Sequence, residues 1–180
     1  MPAKPIHHLP ALVEKYVVNA IVETPQGSRH KFDYDPKTGL FALGAPMPAG
    51  STFPFDFGFI PSTIGEDGDP LDVLILMDAG TFTGCLAKVR LIGVIEAKQS
   101  NDEGKMIRND RLIGVADVSR RHCCIHSFRD LPGPLVEEIE HFFTSYNELK
   151  ERKFKILGCF GRQRARRLVK AGIRAAKDTQ

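Results

Sequence analysis

The stretch Asp67-Gly68-Asp69-Pro70-Leu71-Asp72-Val73-Leu74-Ile75-Leu76 sets three carboxylates within six positions and then runs straight into an apolar segment of β type. Strand alternation sends every second side chain to one face, so Asp67 and Asp69 are predicted to converge. The Gly-Asp-Pro turn lets Asp72 swing round to join them. Three anionic oxygens this close repel one another unless a divalent cation sits between them, and an all-oxygen donor set favours Mg²⁺, Mn²⁺ or Ca²⁺. The stretch therefore reads as a metal site at the mouth of a strand; the plainer alternative is a solvated acidic turn.

Working outward, strands are predicted over 16–23, 30–34, 40–43, 72–77, 86–96 and 106–115, separated by turns such as Thr24-Pro25-Gln26-Gly27 and Asp35-Pro36-Lys37-Thr38-Gly39. After Leu131-Pro132-Gly133-Pro134 comes a helix with Leu135, Ile139, Phe142, Tyr146 and Leu149 on one stripe. A short strand (153–159) and a basic helix (161–178) follow. Many short strands followed by a helix predict a mainly β (α+β) fold, a closed antiparallel barrel with helices packed outside.

With 180 residues, the chain is expected to form a single domain over 1–180, with residues 1–14 as an extended, Pro-rich N-terminal arm. The composition, 42% hydrophobic and 26% charged, is that of a soluble globular protein, and no apolar run reaches the roughly 18 residues of a membrane span. The first ten residues lack the apolar core of a secretory signal, so a cytoplasmic setting is expected. Four cysteines, at 85, 123, 124 and 159, read as reduced thiols.

The net charge of +3 conceals an asymmetry: residues 150 to 178 hold eleven Lys or Arg against two acids, which leaves the remainder at −6. Arg162, Arg164, Arg166, Arg167 and Lys170 interleave with Ala165, Leu168, Val169, Ile173 and Ala176 at helical spacing. That pattern describes the polar face of a packed helix better than a nucleic-acid surface, which would interleave aromatics for base stacking. His122-Cys123-Cys124-Ile125-His126 offers two imidazoles at i and i+4, but no fourth zinc ligand is evident. His7 and His8 in the arm read as exposed or at a subunit contact.

Phe53-Pro54-Phe55-Asp56-Phe57-Gly58-Phe59-Ile60-Pro61, a spacer and then the D-x-D-P-x-D segment resemble the soluble family I inorganic pyrophosphatases. The similarity extends to Tyr16–Glu23, Lys31–Asp35, Gly93–Gly104 and the helix His141–Tyr146. It implies a five-stranded OB-like barrel and Mg²⁺-dependent (or Mn²⁺-dependent) hydrolysis of pyrophosphate to two orthophosphates. Asp67, Asp72 and Asp102 are then metal ligands, Asp69 the general base, and Glu23 and Asp33 the holders of an outer metal. Lys31, Arg111 and Tyr146 fall on positions that contact phosphate. The resemblance also implies a homo-oligomer, since short bacterial-type members form hexamers built from trimers.

Phosphoanhydride hydrolysis needs an activated water, a grip on a highly charged substrate and relief of charge on the leaving oxygen; paired divalent ions supply much of this and a nearby carboxylate takes the proton. Departures from the family pattern fall on the grip. Its arginine before the aromatic cluster aligns with Ala45, the lysine after the helix tyrosine with Asn147, and two tyrosines with Phe53 and Phe57. The distal-hairpin lysine is Arg111, which keeps charge but changes donor geometry. The second aspartate of that hairpin aligns with Asn109, with Asp110 beside it. Arg29, Arg108, Lys150 and Arg152 are the cations near enough in sequence to compensate. Two further readings stay open: a related phosphorylated small molecule as substrate, or a weakly active or non-catalytic protein that binds a phosphate compound or a partner.

Overall fold

The computed structural model describes residues 6–179. Five strands close a ring. β1 (Val17–Thr24) pairs with β4 (Asp56–Phe59), β4 with β5 (Asp72–Leu76), β5 with β8 (Arg111–Ala116), β8 with β6 (Leu86–Ser100), and β6 returns to β1. Four of these pairs are antiparallel, but β5 and β8 run parallel, Val73 to Leu76 against Leu112 to Val115. The expected all-antiparallel barrel is corrected at that pair. A parallel neighbour requires a long crossover, and the whole excursion through β6 and its hairpin provides it.

The remaining strands are appendages. β2 (His30–Asp35) and β3 (Leu40–Pro46) form a separate hairpin, while β7 (Met106–Arg108) and β9 (Phe154–Gly161) pair with the far half of β6. The strand expected over 106–115 is thus two, broken at Asn109 and Asp110, where the Asn109 N–H donates to the Ala97 carbonyl. β4 was not predicted as a strand, because four residues of mixed aromatic and polar type show no period to detect.

The strands of the ring are buried on both faces, and their side chains sort by the two-residue period. Val73 and Ile75 join Val18, Val22, Leu91 and Leu112 in one cluster, into which Ala165 and Val169 of the helix α2 (Arg162–Asp178) pack. Leu74 and Leu76 join Ile92, Ile113 and Val115 in a second cluster under the helix α1 (Gly133–Glu148). The buried stripe of α1 is Ile139, Phe143 and Asn147, with Leu149 57% exposed. The predicted stripe is therefore rotated by about one residue, because an aromatic pair, Phe142-Phe143, offers either face and tertiary packing chose Phe143 for the centre. α2 buries Ala165, Val169 and Ala176 from the predicted stripe, with Leu168 and Ile173 partly buried, and adds Gly172, which the stripe did not include.

The expected extended arm lies partly outside the described residues. From Ile6 it forms a 3-10 turn to His8, then Ala11 is buried and Leu12 bridges to Val18, which docks the arm on β1. The segment around His122 and His126 is turn rather than helix. His122 Nδ1 lies 3.0 Å from Ser119 Oγ, and His126 Nδ1 is 3.0 Å from the Arg90 guanidinium, so neither ring is arranged for zinc. All four cysteines are free thiols.

Two glycines are demanded by close approach. A Cβ on Gly58 would lie 1.9 Å from the Ile21 carbonyl oxygen across the β1–β4 pair, and one on Gly172 would lie 2.8 Å from Leu71 Cδ1 where α2 crosses the chain leading into β5. Gly172 therefore sits inside a helix for packing, which outweighs its roughly 1 kcal/mol propensity cost. Gly58→Ala is expected to destabilise the protein by about 3 kcal/mol, since rigid backbone faces the new methyl; urea unfolding followed by circular dichroism measures this.

Candidate active site

The three carboxylates of the Asp67–Asp72 stretch are held by a turn, not by strand alternation. Gly68 has φ 90°, the Gly65 N–H donates to the Asp69 carbonyl, and the Asp69 N–H donates to Asp67 Oδ1 at 3.3 Å. Asp67 and Asp69 are exposed at the rim, and Asp72, the first residue of β5, reaches down into a cavity of about 140 Å³. Lys31, Arg111, Gln99, Asn109, Tyr146, Lys150 and Arg152 share that cavity with the three acids. A neighbouring hollow of about 510 Å³ shares Lys31, Asp69 and Asp72 and adds Glu23 and Asp33 from β1 and β2.

Eight of the nine residues singled out from the sequence are therefore brought around one mouth, and Asp102 is not. Its side chain is 88% exposed and forms an ion pair with Arg152 at 2.5 Å, outside the acidic cluster. The residue that lines the cavity from that strand is Gln99. β6 ends at Ser100, so the attractive Asp102-Glu103-Gly104 lies in the turn beyond the strand. Asp110 is equally diverted: it accepts the Ala97 N–H at 3.0 Å and a two-point contact from Arg108, which also pairs with Glu96. Asn109 takes the place facing the cavity.

Arg111 organises the floor. The side chain enters from the first residue of β8, donates to Asp72 and to the Asn109 amide oxygen, and reaches Gln99 Oε1 at 3.2 Å. Its guanidinium lies 5.5 Å from the Phe143 ring centre and 5.9 Å from that of Phe57. The Nε atom is buried without a partner. Lys31 is ion-paired with Asp33. Burial opposes its charge, but Asp33 and then Glu23 outweigh that and raise its pKa. Glu23 Oε1 accepts the Tyr34 N–H at 2.8 Å, which pins the β2–β3 hairpin to β1.

Electrostatics mark the site as one prepared for cations. Burial pushes the Glu23 carboxyl up to about 7. Burial and then the Asp72 charge push Asp67 up to about 6, and burial raises Asp72 in spite of Arg111. Each acid is costly to ionise as it stands, and a divalent cation among these hard oxygens would relieve that cost. The donor chemistry of Asp67, Asp69 and Asp72 fits such an ion, although among the described residues no three His, Cys, Asp or Glu side chains already stand in a finished ligand cluster. Tyr146 rounds off the wall: its ring stacks on Phe142 at 5.8 Å and its buried hydroxyl has no partner, a donor suited to an anionic oxygen.

Comparison with known proteins agrees with this geometry. Residues 20–177 match the model of a family described as inorganic pyrophosphatase. An inorganic pyrophosphatase of Synechocystis sp. is 35% identical over 153 residues, 85% of this chain and 88% of the relative, and one of Thermus thermophilus is 36% identical over 162 residues, covering 87% and 89%. The crystal structure of the Thermus thermophilus inorganic pyrophosphatase superposes with a TM-score of 0.86 at 32% identity, covering 97% of this chain and 99% of that one. The Neisseria gonorrhoeae enzyme gives 0.84 at 30%, covering 95% and 98%.

The Glu23 shift makes a prediction for stability. Its folded pKa lies above the unfolded value of 4.5, so between pH 4.5 and about 7 the folded state holds the extra proton. Stability of the metal-free protein should then fall by about 3 kcal/mol from this group as pH rises through that window. Thermal melts from pH 4.5 to 8 in chelator should show the fall, flattened in Glu23→Gln and reduced for the native protein by added Mg²⁺.

Proposed function

We infer that this chain, which belongs to the inorganic pyrophosphatase family, hydrolyses pyrophosphate to two orthophosphates. The observation that carries the reading is the meeting of Asp67, Asp69 and Asp72 with Lys31, Arg111 and Tyr146 around one small cavity. Family members are metal-dependent, and we assign Mg²⁺, with Mn²⁺ as a substitute, to Asp67 and Asp72, with Glu23 and Asp33 holding an outer ion from the adjoining hollow. Asp33 is one methylene shorter than glutamate, so contact through a water suits it. When bound, these ions lower the pKa of a water toward neutrality and offset charge on the phosphoryl oxygens.

The protein's own groups supply the rest. Asp69, at the exposed rim and on the same turn as Asp67, is placed to accept the proton of the attacking water. Lys31 faces both hollows and holds the phosphoryl group under attack; its ion pair with Asp33 keeps the ammonium aimed while the substrate is absent. Tyr146 donates its unpartnered hydroxyl to a phosphate oxygen. Arg111 touches the floor of the cavity and orients Asp72, and its charge offsets part of the cost of burying that carboxylate.

Orthophosphate release from pyrophosphate by the purified protein, with Mg²⁺ and again with Mn²⁺, tests the activity. Asp67→Asn is expected to lose metal dependence together with most turnover. Asp69→Asn should lower kcat at least about a hundredfold, the usual contribution of a general base, while Mn²⁺ binding followed by electron paramagnetic resonance stays within a factor of a few. Unchanged kcat in Asp69→Asn would remove it as the base.

A further inference from the structure

The cations lining the cavity are not equivalent. Arg111 is committed to Asp72 and two amide oxygens, and Lys31 to Asp33. Lys150 has no ion pair among the described residues; its ammonium stands 4.6 Å from the centre of the Tyr146 ring, at the rim of the cavity. Arg152 enters the same cavity two residues later, on the segment that leaves α1 after a reversal at Glu151, φ 55°. That reversal is a left-handed conformation a non-glycine residue seldom adopts, and it brings both cations to one side.

The other candidates are spoken for. Arg108 is consumed by Glu96 and Asp110, Arg29 does not line the cavity, and the Asn147 amide donates back to the Phe143 carbonyl at 2.8 Å, 2% exposed. Ala45 is exposed on β3 and lines neither hollow. Partial burial lowers the Lys150 pKa, and the charge of Lys31 across the cavity lowers it further.

We propose that Lys150 and Arg152 form the grip for the leaving phosphate, displaced by a few residues along the segment after α1, and that Asp102 is the positioning residue that holds Arg152 over the cavity. The 2.5 Å ion pair of Asp102 with Arg152 lies on the outer side, in a hollow that Lys150 also lines, so Asp102 steadies the guanidinium without occupying the acidic cluster. The proposal rests on the pyrophosphatase reading for its substrate, but a bare orthophosphate ion carries the same charge-assisted recognition.

Binding of inorganic orthophosphate in Mg²⁺ by titration calorimetry, beside kcat and KM for pyrophosphate, tests it. Lys150→Met and Arg152→Gln should each weaken orthophosphate binding and raise KM roughly ten- to hundredfold, the loss of one charge-assisted contact. Lys150→Arg should recover most of the loss. Asp102→Asn should have a smaller effect that disappears in the Arg152→Gln background, and Arg29→Gln should change nothing. An unchanged orthophosphate affinity in folded Lys150→Met/Arg152→Gln, verified by its melting temperature, overturns the proposal. If the native protein releases no orthophosphate, the activity reading falls, and the calorimetric comparison still decides the grip.

Discussion

Arg111 carries a full charge to a position only 6% exposed, and the mouth of the barrel is arranged around keeping that charge compensated. Its partners are Asp72 from β5, Gln99 from β6 and Asn109 in the break before β8, and its guanidinium faces the rings of Phe57 and Phe143. Removing one member of such a buried pair typically costs about 3–5 kcal/mol, because the remaining charge has no water to turn to. The strand order, with β8 running parallel beside β5, is what lets the first residues of both strands share one end of the ring. The cation and the topology therefore require each other.

The same compensation explains the unevenness of the site. Acids cluster on the β5 side, where divalent ions suit them, and on the α1 side enter Lys150, with no ion pair among the described residues, and Arg152, paired with Asp102. A polyanion must cross from one field to the other, and the narrow cavity between them makes those charges worth more than they would be in open water. Amides at positions 99 and 109 lower the negative charge on the floor and supply acceptors to Arg111. The floor is accordingly less demanding of cations than one built with carboxylates there.

The basic C-terminal segment has a structural use. Arg164 pairs with Glu96, which also holds Arg108, and Arg162 and Arg166 lie 4.7 and 5.8 Å from the Tyr16 ring. These contacts fasten α2 across β6 and the start of β1, so part of the strong basic charge counted in the sequence is spent on docking the helix. Buried Asp56, opposite the C-terminal end of β5, does a comparable job there, accepting the Gln26 and Thr81 N–H groups and so joining the loops after β1 and β5. No helix is long and apolar enough to cross a membrane among the described residues.

Local patterns were enough to foresee most strands, both helices and the convergence of Asp67, Asp69 and Asp72, because periodicity and turn chemistry act over a few residues and leave direct marks. The buried stripe of α2 was legible for the same reason. What neighbours in the chain cannot specify is which of two nearby candidates points inward: Phe142 or Phe143, Asn109 or Asp110, Gln99 or Asp102. The first choice depends on how α1 is turned against the barrel, and the others on strand register, where one residue exchanges the faces. The sequence by itself determined the family of chemistry, a carboxylate cluster at the mouth of a barrel; the tertiary structure alone decided that Asp102 would turn away to hold Arg152, because burial and charge pairing are settled between segments far apart in the chain.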